Sequence, residues 1–212
     1  MKKFVFATFV LLFATMLIML VSCNPSSAPT PGGSDLSGNG DRENQNGDVH
    51  ENVLIVYFSC TGTTENIANT MQSVLNCDIF KIQAAEPYST ADLNYSNSNC
   101  RANREQNDAS ARPKIANSVE NIDKYDTVFI GYPIWWGKAP KIIYTFLEQY
   151  DFSDKILVPF CTSGSSPVSG SEGDLHAIAS SAVWKSGIRF ASNASQNTVS
   201  AWIDSLNLKK GA

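Results

Sequence analysis

The stretch from Asn52 to Ala68, NVLIVYFSCTGTTENIA, constrains the fold of this chain more than any other. Val53 to Phe58 is an unbroken apolar run rich in β-branched and aromatic residues, which predicts a strand buried on both faces. A turn of small hydroxylated residues around Gly62 follows, and an amphipathic helix pattern begins directly after it. A strand that leads through such a turn to a helix N-terminus favours anion binding, because unpaired N–H groups and the helix dipole attract a phosphate.

The composition of the turn indicates which kind of phosphate it suits. The chain lacks here both the lysine of a nucleoside-triphosphate loop and the spaced glycines of a dinucleotide fold. A site built from hydroxyl and backbone groups, without a cation, fits a phosphate monoester. An ordinary capped turn would use the same residue types, so the turn alone leaves the ligand open. The candidate phosphate-binding residues are Ser59, Thr61, Gly62, Thr63 and Thr64.

The remainder of the chain alternates predicted strands with predicted helices. Further strands are predicted at 78–82, 127–131, 155–161 and 188–190, and amphipathic helices follow most of them, the one after 155–161 with an apolar face at Leu175, Ile178, Ala179 and Val183. This alternation predicts an α/β fold with a parallel sheet covered by helices on both faces. Ligands of such sheets lie beyond the carboxyl ends of the strands, where the strand order reverses. The loops that follow Phe58, Gly131 and Cys161 are therefore expected to meet.

The second of these loops contains the adjacent tryptophans Trp135 and Trp136. Two neighbouring indoles are difficult to bury together, because each N–H group also needs a partner. We expect one tryptophan to cap the core and the other, with Trp136 preferred, to stack on a flat heterocycle. The candidate ring-binding residues of this loop are Pro133, Ile134, Trp135, Trp136 and Gly137.

The three loops together resemble those of the flavodoxins. Ser59, Thr61, Gly62 and Thr64 match the family's phosphate-loop pattern Ser/Thr-x-Thr-Gly-x-Thr, and the segment GYPIWWG matches the loop beside the flavin ring. The resemblance spans about 52–208 and implies a doubly wound, five-stranded parallel sheet of order 2-1-3-4-5 in a three-layer α/β/α sandwich. It also implies FMN as the cofactor, with Thr162, Ser163 and Gly164 at the pyrimidine end of the flavin and a flexible peptide at Gly137 near flavin N5.

The sequence departs from the flavodoxin pattern in two places. Lys138 stands where electron carriers of the family usually have an acidic residue, and a cation there should raise the reduction potential of the flavin. The third loop lacks the tyrosine that often covers the second flavin face. The polar region 84–119 is interpreted as a solvated connection with some helix or, alternatively, as a lid that brings Tyr95, Arg101 or Arg104 to the site.

The N-terminus predicts export and lipid attachment. A basic start and an apolar run to Val21 are typical of a signal peptide, and Leu20-Val21-Ser22-Cys23 resembles a bacterial lipobox, with a plain signal anchor as the alternative. We predict a signal peptide at 1–22, a flexible Pro/Ser/Gly/Asn-rich tether at 23–51 and one folded domain at 52–210. Cys23 would carry the lipid and hold the protein at the bacterial cell envelope, on the periplasmic or surface side.

Charge and composition exclude several partners. Acidic residues number 20 against 16 basic ones, and no basic stripe with interleaved aromatics is present, so nucleic acid is not an expected partner. The two histidines and the cysteine spacing form no metal-ligand pattern, so we predict no metal. Besides Cys23, the predicted lipid cysteine, four cysteines permit disulfides without requiring them.

Three functions are compatible with these features. The first is an FMN-binding electron-transfer protein whose partners are redox proteins or a small-molecule electron acceptor; it needs no catalytic acid or base, and we predict none. The second is an NAD(P)H-dependent FMN or quinone reductase on the same scaffold, which Lys138 and the open third loop favour. The third is a surface-binding lipoprotein that keeps the fold without the cofactor.

Overall fold

A computed structural model describes residues 52–208 of the protein. The predicted signal peptide (1–22), the lipid-bearing Cys23 and the tether (23–51) lie outside the described residues and stay predictions. None of the helices within residues 52–208 has the length and apolar character needed to cross a membrane.

A parallel sheet forms the centre of the domain. Its first strand, β1, has every residue buried, as the apolar run predicts. The strand order is β2-β1-β3-β4-β5, which confirms the predicted order 2-1-3-4-5, and a sixth strand also pairs with β4. The strands are β1 (Val53–Tyr57), β2 (Asp78–Lys81), β3 (Thr127–Pro133), β4 (Ile156–Thr162), β5 (Val183–Trp184) and β6 (Ile188–Phe190).

Helices cover both faces of the sheet and produce three layers. Leu54 and Val56 of β1 face the core shared with the helices that follow β3 and β4, whereas Ile55 faces the core shared with the first and last helices. This alternation follows from the two-residue period of a strand. The helices are α1 (Thr63–Leu75), α2 (Arg101–Asn107), α3 (Lys141–Gln149), α4 (Ser169–Ile178) and α5 (Gln196–Ser205), with a 3₁₀ turn at Ile122–Lys124.

The last edge of the sheet differs from the prediction. Val183 was placed on the apolar face of the fourth helix, but α4 ends at Ile178 and Val183 lies on β5, 52% exposed. That prediction is wrong because β5 has only two residues, too few for a strand period to appear in the sequence. The sheet edge is thus divided: β5 pairs with the first residues of β4, and the predicted last strand, here β6, pairs with its last three.

Residues 84–119 form an excursion between β2 and β3 that is closed at its base. Ala84 and Ile115 form an isolated antiparallel bridge, and the N–H of Ala85 donates to the Lys114 carbonyl at 2.8 Å. The excursion contains α2 and, as expected, polar connecting turns. Because its two ends are joined, it is an appendage of the sheet edge whose position is fixed at the base.

Candidate cofactor-binding site

A cavity of about 480 Å³ lies at the carboxyl ends of β1, β3 and β4, where the sequence predicts the ligand. Every residue that lines it is uncharged. It brings together members of all three predicted loops: Ser59, Thr61, Thr63, Pro133, Ile134, Trp135, Thr162, Ser163 and Gly164. The other predicted site residues, Gly62, Thr64, Trp136 and Gly137, lie outside its wall.

The first loop combines a shaped turn with exposed hydroxyls. Gly62 adopts φ 84°, a left-handed conformation that glycine takes without strain, and immediately precedes α1. Its N–H donates to Ser59 Oγ at 3.1 Å, so the Ser59 hydroxyl shapes the turn. Thr61 and Thr63 line the cavity, with their hydroxyl oxygens 3.5 Å apart. Because the first-turn N–H groups of a helix have no intrahelical acceptor, the loop offers several converging donors to an anion.

Thr64, which the sequence predicts as a phosphate ligand, has its hydroxyl bonded inside the protein. Its side chain is buried, and its Oγ1 lies 2.7 Å from Oγ1 of Thr162 on the third loop. This hydrogen bond joins the first loop to the third. The Thr64 hydroxyl does not line the cavity, but it helps to position Thr162, which does.

The acidic residue in the first turn of α1 is compensated by its neighbours. Glu65 accepts hydrogen bonds from Lys81 Nζ at 3.0 Å and from the Tyr57 hydroxyl at 2.9 Å. These two bonds, that of Lys81 first, hold the pKa of Glu65 below its usual range. Glu65 is therefore ionised but paired at neutral pH, which reduces its repulsion of an anion near this end of the helix.

The second loop contains a tight turn from Trp135 to Lys138. The Trp135 N–H donates to the Lys138 carbonyl at 2.9 Å, and the Lys138 N–H donates to the Trp135 carbonyl at 3.0 Å. Both central residues have positive φ, 46° at Trp136 and 81° at Gly137, which is the pattern of a type I′ turn. A positive φ is unusual for a bulky residue such as Trp136 and costs about 1–2 kcal/mol.

The two tryptophans have separate environments. Trp135 is 5% exposed, packs edge-on against Phe58 and Tyr88, and contributes to the cavity wall. Trp136 is half-buried, and its ring stacks on Tyr95 with the centroids 4.2 Å apart and the planes inclined by 22°. Trp135 is the buried tryptophan of the pair, and the ring that stacks on Trp136 is Tyr95 of the same chain; stacking of a tryptophan on a heterocycle stays a prediction.

The excursion contributes one residue that sequence reasoning named as an alternative. Tyr95 lines the cavity, and its hydroxyl donates to the Ile134 carbonyl at 3.3 Å. Arg101 instead lies over the Tyr88 ring, 4.1 Å from its centroid, and pairs with Glu105. Arg104 bonds the Asn99 carbonyl within the excursion. Of the three candidates in this region, Tyr95 alone lines the described cavity.

Four further residues of the wall were missed by sequence reasoning: Cys60, Leu93, Ala191 and Ser192. Ala191 and Ser192 follow β6 directly, so the rule that placed the other loops at the strand ends would have found them. Cys60 lies inside the phosphate-loop motif at a position that the pattern leaves unspecified. Leu93 belongs to the polar excursion, where the sequence carries no signal for it.

Lys138 does not line the cavity and is paired. Its Nζ lies 3.0 Å from Asp174 Oδ2, and both side chains are about half exposed. Burial raises the pKa of Asp174, but the hydrogen bonds from Lys138 and Tyr144 outweigh it and hold that pKa below its usual range. The positive charge expected beside the flavin is therefore partly neutralised by a carboxylate.

The four cysteines of residues 52–208 are free thiols. Removal of water around the Cys60 sulfur raises the pKa of this thiol to about 11. Cys60 is therefore protonated at neutral pH although it is exposed at the cavity. Within the same residues, no cluster of three histidine, cysteine or acidic side chains is arranged to hold a metal ion.

Comparisons with known proteins agree with the fold. The Flavodoxin family profile matches residues 52–206. A candidate flavoprotein from Bacteroides eggerthii is 40% identical with a TM-score of 0.70, over 74% of this chain and 98% of that chain. A second one, from Bacteroides uniformis, is 38% identical with a TM-score of 0.70, over 73% and 98%.

A more distant structure carries a cofactor. A flavoprotein from Lactobacillus acidophilus in complex with FMN is 21% identical with a TM-score of 0.58, over 74% of this chain and 98% of that chain, a likeness of fold. No curated protein matches the sequence significantly. The family profile covers most of the chain, and the Bacteroides structures are matched over nearly their whole length. This chain belongs to the flavodoxin family.

Proposed function

We propose that this protein is an FMN-binding electron-transfer protein, held at the bacterial cell envelope by lipid on Cys23. The expectation of FMN is confirmed by membership of the flavodoxin family, and the Lactobacillus acidophilus relative was solved as an FMN complex. The single observation that carries the proposal is the cavity in which the three predicted loops meet. Electron transfer and envelope attachment are inferences from the sequence and the site.

The residues of the cavity suit the parts of FMN. The hydroxyls of Thr61 and Thr63, with the first-turn N–H groups of α1, would bind the phosphate. Trp135 and Tyr95 would flank the flavin ring, and the backbone of the Thr162–Gly164 loop would bind its pyrimidine edge. Bound FMN supplies the capacity to accept and release electrons. The chain's own residues would bind and orient the cofactor.

An NAD(P)H-dependent FMN or quinone reductase is the second candidate. One observation favours it: the cavity wall continues past the three loops to Leu93, Ala191 and Ser192, residues that would border a small acceptor bound beside a flavin. The pairing of Lys138 with Asp174 weakens the argument from a free cation at this position.

A steady-state assay separates the two candidates. The domain 52–210 loaded with FMN is mixed with NADH or NADPH and a quinone, and pyridine-nucleotide oxidation is followed. For a carrier we expect no catalytic turnover, although dithionite reduces the flavin fully and oxygen or an acceptor protein reoxidises it. Sustained turnover with a quinone would contradict the carrier function.

Lipid attachment needs its own test in the full-length chain. Expressed in bacteria that are fed an alkyne-tagged fatty acid, the wild-type protein is expected to incorporate the label, and Cys23→Ser is expected to lack it. Cys77→Ser, which changes a half-buried cysteine of the domain, is the matched control and should be labelled like the wild type. Equal labelling of wild type and Cys23→Ser would exclude Cys23 as the attachment site.

A further inference from the structure

One side chain of the 84–119 excursion donates hydrogen bonds to the backbone of the Trp135–Lys138 turn and of Ala139. Gln106, on the last turn of α2, directs its amide nitrogen to the Trp135 carbonyl at 3.0 Å and to the Ala139 carbonyl at 3.2 Å. These two carbonyls lie at the entry and the exit of the turn. A single amide group therefore spans the turn and binds it from outside.

The orientation of this amide is determined by its neighbours. Rotating it by 180° would place Gln106 Oε1 against two carbonyl oxygens, which accept hydrogen bonds but do not donate them. In the observed orientation Oε1 is buried and has no hydrogen-bond partner among the described residues. Leaving a buried acceptor unpaired costs about 1–3 kcal/mol. The two hydrogen bonds that Gln106 donates offset this cost.

The turn is a segment that needs external support. Trp136 at φ 46° is strained, and the Trp135 carbonyl, which already accepts the Lys138 N–H within the turn, also accepts the Gln106 amide. The excursion adds three contacts: the Gln106 amide, the Tyr95 ring stacked on Trp136, and the Tyr88 ring edge-on to Trp135 at 5.2 Å. Of these, Gln106 alone bonds the backbone on both sides of the turn.

The turn also lies against α4. A Cβ atom added to Gly170 of α4 would lie 2.8 Å from the Gly137 carbonyl oxygen, so helix and turn approach each other closely. The turn thus contacts both α4 and α2, which restricts its movement while Gln106 is bonded. Trp135 of this turn forms part of the cavity wall, so the position of the turn affects the wall directly.

We propose that Gln106 is a positioning residue for the flavin ring: its amide holds the Trp135–Lys138 turn in the positive-φ conformation and thereby fixes the part of the wall against which the ring binds. This inference rests on the proposed FMN function and adds to it a role for the excursion. Gln106 acts through the turn and does not line the cavity.

The test compares Gln106→Leu, which keeps the side-chain size and removes both donors, with Asn107→Leu. Asn107 is the adjacent amide on α2, is exposed and bonds only Asn103, so it controls for the loss of an amide from this helix. In the flavin-free domain, amide hydrogen exchange at 135–139 should be about 10-fold faster in Gln106→Leu than in the control. Binding of FMN and of riboflavin should weaken by the same factor, about 10-fold, because the turn contacts the ring and not the phosphate.

Gln106→Glu keeps the proposal testable if Gln106→Leu does not fold. An ionised carboxylate faces the two carbonyls unfavourably, whereas a protonated one donates to one of them. The riboflavin affinity of Gln106→Glu should therefore recover between about pH 8 and about pH 5, with no such change in the wild type.

The outcomes distinguish the two proposals. If the wild type binds FMN and both Gln106 variants match Asn107→Leu in affinity, this inference fails and the proposed function stands. Faster exchange in the turn with unchanged flavin affinity would also overturn it, because Gln106 would then stabilise only the protein. If the wild type binds no flavin, the proposed function fails, and the positioning role fails with it.

Discussion

At the scale of single residues, the hydroxyls of the first loop separate into two classes. Thr61 is exposed at the cavity, and the Thr64 hydroxyl is bonded to Thr162 inside the protein. Replacing Thr61 by valine should weaken FMN binding and leave riboflavin binding unchanged, because riboflavin lacks the phosphate. One lost hydrogen bond to a charged group corresponds to about 1.5–3 kcal/mol. Parallel fluorescence titrations with the two flavins measure the difference.

Thr64→Val is the matched control for that experiment. It removes the same group from the same loop but leaves the buried Thr162 hydroxyl without its partner, so we expect a loss of about 1–3 kcal/mol in the free energy of unfolding. Its effect on FMN and riboflavin should be similar. An equal loss of both flavins in Thr61→Val would place the Thr61 hydroxyl away from the phosphate.

Cys60 offers a chemical probe of the same loop. The pKa of Cys60 is raised to about 11. The fraction of the reactive thiolate should therefore increase about tenfold per pH unit from pH 7 to about pH 10, whereas that of a thiol with the usual pKa of about 8.5 would level off. Alkylation of the native domain should follow this profile and be slowed by bound FMN, because Cys60 lines the cavity. The buried Cys100 and Cys161 should not react. Alkylation of Cys60 at an unchanged rate with FMN would place the cofactor elsewhere.

At the scale of elements, the Phe160 ring of β4 occupies the space that a side chain on Gly131 of β3 would need. A Cβ atom at this position would lie 2.1 Å from the Phe160 ring, which is fully buried. Gly131→Ala should therefore lower the free energy of unfolding by about 1–3 kcal/mol through overpacking. Gly164→Ala is the control, since no atom lies within 4 Å of its added Cβ and it should be nearly neutral. Equal denaturation midpoints for the two variants would contradict this packing.

The paired Lys138 at the end of the turn is expected to influence the flavin potential. Lys138→Asp replaces a cation with a carboxylate beside Asp174, and the added negative charge should lower the reduction potential of bound FMN by about 10–40 mV at low salt. Lys114→Asp makes the same charge change on the exposed base of the excursion and is the control. Spectroelectrochemical titration of both variants gives the values. Identical potentials would show that Lys138 is too distant or too well screened to act.

Elements with a clear period could be predicted from the sequence, and the contacts of the excursion could not. β1, β3 and β4 are continuous apolar runs, so their carboxyl ends and the three loops followed from the pattern. Tyr95 and Gln106 lie in a polar region without a period, and they reach residues 39 and 29 positions away. Such contacts depend on how the excursion folds back on its base, which local sequence does not encode. For the same reason the ring stacked on Trp136 could not be named.

At the scale of the whole molecule, the domain is a cofactor site on a parallel sheet with an appended excursion. The sheet places three loops at one edge, α1 begins at the cavity where we propose that the FMN phosphate binds, and the excursion contacts the Trp135–Lys138 turn. The predicted lipid on Cys23 and the tether would keep this unit at the envelope surface while the cavity stays open to redox partners. The central claim is therefore that one FMN occupies the cavity.

An absorption-monitored titration of the purified domain 52–210 with FMN tests that claim most directly. We predict that each chain binds one FMN, that binding perturbs the flavin absorption spectrum, and that the neighbouring Trp135 quenches the flavin fluorescence. Riboflavin should bind more weakly than FMN. A folded domain that leaves the spectrum and fluorescence of added FMN unchanged, even at a large excess of protein, would contradict the account and leave a flavodoxin fold without its cofactor.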